Sequence, residues 1–374
     1  MATLDDNRLK AMVYGGAVLG AGGGGSIRAG LAAGRQALRR GEPRLISLSE
    51  LTDQGRLVTF SSVGTVGKVS GVDQLDGQHG RALEIFSSAD KRQITGIIPS
   101  EVGALAVTYG WRESALTSIP IVDAPCNGRA HPLGLMGSLG LHRFPKHVTS
   151  TVAVGGTRKA DNYLELSIRA NVVNAARIVR NTVANTGVPL AEVRNPVPAS
   201  YVGRHAAPGG LKYAMRVGET LLNQISRGLT PVLHALARLM GGKVLARGFV
   251  KSAQLEERQG FTVGNVTIRS ETGRQIRIPV CNEYMMVLDD DSPLAVFPDL
   301  ISVFDAGASL PLNSAEVCAG QQVAVFLVPR GRLKLGSTMR DHTLLRPIEK
   351  LLGIRFPIDT GPDRGRASSR LRSE

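Results

Sequence analysis

Residues 119–141 read IPIVDAPCNGRAHPLGLMGSLGL, and the reading of this stretch decides the fold. Its first four residues, Ile119, Pro120, Ile121 and Val122, form a short apolar run of the kind that makes a buried strand. The run stops at Asp123, and Pro125, Asn127 and Gly128 then break regular structure for steric reasons. Into that break the chain places an acid, a thiol, an amide, a guanidinium and an imidazole: Asp123, Cys126, Asn127, Arg129 and His131. Polar side chains on a loop that leaves a buried strand are how α/β folds build ligand sites.

Upstream of this stretch strands and helices alternate, which predicts an α/β layered sheet. The spacing predicts a helix over residues 5–19, a second over 27–40, a buried strand over 57–64, a strand over 95–103 and a helix over 104–113. A further strand is expected at 148–154 and a helix at 169–184. Residues 195–210, rich in Pro and Gly, read as a connection, and 211–240 as a long helix broken near Gly228 and Pro231. After Gly241-Gly242 the character changes to short alternating segments separated by turns, which predicts a smaller all-β, barrel-like module. The expected organisation is therefore an α/β domain over 1–240 and a β-barrel-like domain over 241–340. A C-terminal helix over 341–358 packs back on the body, and a disordered basic tail covers 359–374.

Composition narrows the function. The chain has 374 residues, 43% of them hydrophobic, so it can bury a sizeable core, and a net charge of +14. The basic residues are dispersed and lack the aromatic interleaving that stacks bases, which argues against nucleic acid; the charge reads as a solvated surface suited to an anionic small-molecule substrate. No apolar run approaches the roughly 18 residues that span a bilayer, and the first ten residues lack a hydrophobic signal core, so a cytoplasmic protein without membrane contact is expected. Three cysteines without a CxxC pair do not make a disulfide framework. A homo-oligomer is left open.

Two stretches carry the candidate chemistry. The run Gly22, Gly23, Gly24, Gly25 can bring backbone N–H groups together around an anion or a substrate, although no Lys-Ser/Thr pair follows and a helix rather than a strand precedes it. In the central stretch, Asp123 could act as a general base or accept from a substrate N–H, or could instead cap the following loop. Cys126 could attack an electrophilic carbon if Arg129 and His131 lower its pKa. His131 could shuttle protons, and Arg129 could clamp a carboxylate or pair with Asp123. Asn127, Glu101 and Asp299 are further substrate-binding candidates. Cys281 and Cys318 read as core residues. No cofactor is required by the sequence; the metal content is unknown, with zinc on Asp123, Cys126 and His131 as one alternative.

Several motifs together resemble the S-methyl thiohydantoin desulfurase-like family. They are the glycine signature from Gly15 to Gly25, Pro99-Ser100-Glu101-Val102-Gly103, and Val122-Asp123-Ala124 with Asn127-Gly128-Arg129-Ala130 and Pro132. In the β module Gly260-Phe261, Gly264, Asn282-Glu283 and Phe297-Pro298-Asp299-Leu300-Ile301 match as well. The resemblance implies an α/β domain followed by a β-barrel-like one, and an activity that removes the S-methyl sulfur of a cyclic thiohydantoin and leaves a hydantoin. Two functions are carried forward: a hydrolytic enzyme acting at the amidine-like carbon of such a heterocycle, and a non-catalytic partner or small-molecule-binding protein beside a hydantoinase-like enzyme.

Overall fold

A computed structural model describes residues 2–65 and 77–357. The expected tail over 359–374 lies outside the described residues. The first helix, α1 (Asp6–Gly20), starts where the Asp5 carboxylate accepts the Arg8 N–H, and ends at Ala21 in the left-handed region. It is buried nearly all round, because a second long helix lies directly against it. This is α7 (Gly210–Leu222), and glycines at the crossing let the two backbones touch. Ser26 caps α2 (Ile27–Arg40) through its hydroxyl.

The N-terminal domain is an α/β layer around one eight-stranded mixed sheet. Its strands are β1 (Ala2–Thr3), β2 (Arg44–Ile46), β3 (Arg56–Val63), β4 (Gly96–Pro99), β5 (Ile121–Val122), β6 (Val148–Gly155), β7 (Leu164–Asn171) and β8 (Leu190–Pro198), in the order β1-β2-β5-β4-β3-β8-β6-β7. The four central strands β2, β5, β4 and β3 run parallel, and the others join antiparallel. The near-continuous apolar burial of β3 and β4 is what a parallel strand covered on both faces needs. Helices α3 (Gln78–Ala89), α4 (Trp111–Thr117), α5 (Val172–Thr186) and α6 (Ala199–His205) complete the layer.

Some local expectations change. The helix expected over 104–113 is a 3-10 turn at Ala106–Thr108 followed by α4. The connection expected over 195–210 begins as the end of strand β8, paired with β3, and continues as α6. Gly228 separates α7 from α8 (Leu229–Met240).

The C-terminal domain is antiparallel sheet. Strands β9 (Lys243–Arg258), β10 (Phe261–Ser270), β11 (Gln275–Cys281), β12 (Glu283–Tyr284), β13 (Met286–Asp289), β14 (Ser292–Val296), β15 (Leu300–Asp305), β16 (Leu310–Pro311) and β17 (Gln322–Val328) follow the order β14-β13-β11-β10-β9-β17-β15-β16, with β12 on β11. Two-residue turns with both central φ angles positive, at Gln259-Gly260 and Asp290-Asp291, join β9 to β10 and β13 to β14. The expected barrel is not formed: β14 and β16 end the sheet without pairing to each other, and closure requires that pairing. Helix α9 (Arg346–Leu352) follows, and its Ile348 packs with Phe261, Val263 and Met286 of the β module as well as Met136. It therefore lies largely on the β module rather than back on the α/β body as expected. Among the described residues no helix is long and apolar enough to cross a membrane.

Candidate functional site

The parallel strands β3, β4 and β5 deliver three segments at their carboxyl ends: Ser61 to Gly64, Ser100-Glu101, and the loop that begins at Asp123. The edge formed by such strand ends is where an open α/β sheet offers a crevice. The β module closes that crevice. Asn282 sits between β11 and β12 with φ 58°, a conformation Asn tolerates better than most residues, and its side-chain oxygen accepts the Thr262 N–H. This tight reversal aims Glu283 at the glycine loop. The Tyr284 N–H donates to Ala21 O at 2.9 Å and the Ser314 N–H to Gly22 O at 2.9 Å, so the loop is stitched to the second domain.

The glycines are required by these approaches. A Cβ added at Gly23 would sit 1.9 Å from Glu283 Oε1, and one at Gly24, 2.5 Å from Gly103 Cα and 3.3 Å from Ala130 Cβ. Gly22 lies against the Tyr284 ring. The glycine run and the central stretch are thus neighbours in space. The cavity they border measures about 60 Å³ and is lined by Gly24, Gly25, Glu101, His131 and Glu283, among others. It has room for about four to six waters.

Of the candidates, Glu101 and His131 face this cavity. Glu101 accepts the His131 backbone N–H at 3.2 Å. Burial pushes its carboxyl up to about 7, against the opposing pull of the Arg194 and Arg129 charges. Glu283 is 2% exposed, and burial, reinforced by the Glu101 charge, holds its carboxyl well above the usual range. Its Oε2 makes no hydrogen bond among the described residues. The two carboxyls sense one another and titrate as a pair, with Glu283 keeping its proton when Glu101 begins to ionise.

His131 donates its Nε2–H to Ser100 O at 3.2 Å, which leaves Nδ1 unprotonated, 3.7 Å from Glu101 Oε2. Burial lowers this imidazole to about 4, so it is neutral near pH 7 and a weak base. His131 thus stands in the cavity as a neutral imidazole beside Glu101.

The remaining central-stretch candidates are turned away from the cavity. Asp123 accepts the backbone N–H groups of Leu211 at 2.8 Å and Lys212 at 3.3 Å, capping α7, and the expected pair with Arg129 does not form. Arg129 is fully buried and donates to the carbonyls of Pro298, Asp299 and Ala130 while lying over the Phe297 ring. Asn127 bridges Met136 O and the Gly336 N–H. Asp299 accepts from the Arg330 backbone and guanidinium. These four hold loops together. Cys126 is 1% exposed and its sulfur faces Thr59 Oγ1 at 3.5 Å. Burial pushes its thiol up to about 11, the reverse of the expected depression, because the cations nearby do not offset desolvation. Cys318, expected in the core, is exposed on the loop before β17. Among the described residues no three His, Cys, Asp or Glu side chains gather as a metal site would need, so the zinc alternative on Asp123, Cys126 and His131 finds no such grouping.

Among the cavity residues outside the expected set are Tyr109, Arg180, Glu192, Arg194 and Glu283, the last of which the sequence marks only as part of the Asn282-Glu283 motif. Glu192 accepts the Ser61 hydroxyl at 2.7 Å, and its Oε2 lies 3.5 Å from Arg194 Nε. The signal for these two was the Glu-Val-Arg alternation within β8, which puts both on one face of a strand. Arg180 bonds Gly260 O and stacks on Phe261, tying α5 to the β module.

The buried histidines carry a pH prediction. His79 donates its Nε2–H to Ser61 O at 2.9 Å, which fixes the tautomer because a carbonyl can only accept. Burial lowers it from 6.5 to about 4. A depressed folded-state pKa gives stability that is complete above the unfolded value and lost as pH falls through about 4, a loss of ~3 kcal/mol per histidine. His79→Gln keeps an N–H donor but does not titrate. Its melting temperature is expected to fall less between pH 7 and pH 4.5 than that of the unsubstituted chain; equal slopes by calorimetry would refute this.

Comparison with known proteins also gives two units, but their boundary falls between residues 160 and 170, inside the eight-stranded sheet. A family model described as S-Me-THD-like, N-terminal domain, matches residues 7–160, and one described as S-Me-THD-like, C-terminal domain, matches 170–333. No curated protein matches the chain. Its structure is similar to an X-ray crystal structure of a protein from Chromobacterium violaceum, with a TM-score of 0.72 and 19% identity over 96% of this chain and 100% of that one. At that identity the likeness concerns the fold.

Proposed function

The chain belongs to the S-Me-THD-like family, and from that premise we propose that it is an enzyme that adds water to the amidine-like carbon of a thiohydantoin-type heterocycle and expels a thiol. The observation that carries this reading is the carboxyl pair Glu101 and Glu283, contributed by different domains to one buried cavity. A pair pushed apart in acidity supplies both a base and an acid near neutral pH.

In this reading Glu101, ionising near 7, takes a proton from water as the water oxygen bonds to the carbon. Glu283, still protonated, gives its proton to the ring nitrogen. The carbon–sulfur bond then breaks, the thiolate leaves with the proton from Glu101, and the hydroxyl proton passes to Glu283 as the new carbonyl forms. Both carboxyls end as they began, and heterocycle plus water become hydantoin plus thiol. The guanidiniums of Arg180 and Arg194 in the cavity wall favour a heterocycle with an anionic substituent.

The water route is preferred to attack by Cys126, whose sulfur is buried against Thr59. The test uses an S-methylated 2-thiohydantoin in ¹⁸O-labelled water, with methanethiol and labelled hydantoin measured together. Cys126→Ala is expected to keep turnover within about threefold, as a residue that merely packs would; loss of about a hundredfold or more would restore the covalent route. Binding of the heterocycle without release of thiol would favour the non-catalytic, ligand-binding alternative.

A further inference from the structure

Tyr109 is a cavity residue that the carboxyl chemistry leaves unused. It follows the 3-10 turn at Ala106–Thr108, is 6% exposed, and lines the cavity together with Gly25, Ser62 and Glu101. Its ring is fixed from behind. The His79 ring lies 5.0 Å from it, the Phe60 ring lies 5.1 Å from His79 in parallel stacking, and His79 is itself anchored on Ser61 O. The phenol sits within the field of the Glu101 charge. Burial and that charge keep it protonated far above neutral pH. A rigid O–H donor is therefore held at the wall of the chamber in which charge would develop.

Resting on the water-addition reading above, we infer that Tyr109 is a further catalytic residue, donating a hydrogen bond to a ring carbonyl oxygen conjugated with the reacting amidine, so that the preferred substrate is an acyl-amidine heterocycle. As water adds to the carbon, the electron pair of the C=N bond moves onto nitrogen and, by conjugation, onto the neighbouring carbonyl oxygen. A pre-positioned donor aimed at that oxygen is stronger in the transition state than in the bound substrate. Glu283 then protonates the nitrogen and the charge is discharged. The phenol keeps its proton throughout, so no further reactant is needed.

The test compares the unsubstituted chain with Tyr109→Phe, which retains the ring and its tilted contact with His79. Two probes are used: an S-methylated 2-thiohydantoin, which has the conjugated carbonyl, and 2-methylthio-2-imidazoline, which lacks it. On the first probe kcat is expected to fall by about a hundredfold, the cost of losing one such donor, with KM within about threefold. On the second, both chains should be equally slow, down to equally undetectable. An unchanged kcat on the first probe, or the same proportional loss on both, would overturn the assignment, the latter because a structural defect does not discriminate between them. Glu101→Gln separates the two levels of inference. If it is inactive while Tyr109→Phe is fully active, only the tyrosine assignment falls; if the unsubstituted chain neither binds nor converts the thiohydantoin, both fall.

Discussion

Glu101→Gln is expected to lower kcat/KM toward an S-methylated thiohydantoin by about 10³-fold, within the range for losing a general base. In the unsubstituted chain kcat/KM should rise with pH through about 7 as Glu101 ionises, and fall at higher pH as Glu283 loses its proton. The substitution should not cost stability at pH 8. Folding raises the Glu101 pKa above its ordinary 4.5, so the stability linked to its neutral form is complete below 4.5 and is lost as pH rises through about 7. At pH 8 the glutamine variant is therefore expected to melt no lower than the parent. A variant that folds as well and turns over as fast would remove Glu101 from the mechanism, whereas a Glu101→Gln chain that melts far lower would show that the ionised carboxylate is a structural ion-pair partner.

The largest stability effect is expected where helices α1 and α7 touch. A Cβ at Gly15 would lie 1.7 Å from Ala214 O, and one at Gly218 would lie 1.8 Å from Ala11 O. These contacts are to backbone, which cannot swing aside as a side chain can. Gly218→Ala and Gly15→Ala should each destabilise by ~3 kcal/mol or more, since the helices must separate and the core cluster containing Val13, Val18, Ala214 and Val217 opens with them. Because α1 leads directly into the glycine loop, the same variants should weaken substrate binding. The paired substitution should cost less than the sum, because one displacement relieves both clashes. Denaturant unfolding of the two single variants and the double variant measures this; single-variant losses below about 1 kcal/mol would show that the crossing is looser than the distances imply.

Much of the architecture was legible because it depends on local physics. The apolar periodicity of α1 and α2, the buried runs of β3 and β5, and the change of character at Gly241-Gly242 are set by residues close in the chain. So were the Asn282-Glu283 and glycine-loop motifs, which mark where backbone must come close. Closure of the β module was not legible, since whether β14 and β16 meet depends on the accumulated twist and register of every strand between them.

The roles within the central stretch were also beyond the sequence. Cys126 beside Arg129 and His131 reads as an activated thiol when only neighbours in the chain are counted. In the fold Arg129 turns to the carbonyls of Pro298 and Asp299, Asp123 turns to the first turn of α7, and the thiol faces Thr59. Desolvation, which no spacing reveals, reverses the expected acidity. The sequence by itself determined which residue types could do chemistry and which glycines must stay small. Tertiary structure alone decided that Glu101, Tyr109 and Glu283, separated by up to about half the chain, share one cavity, because burial and charge act through space and not along the chain.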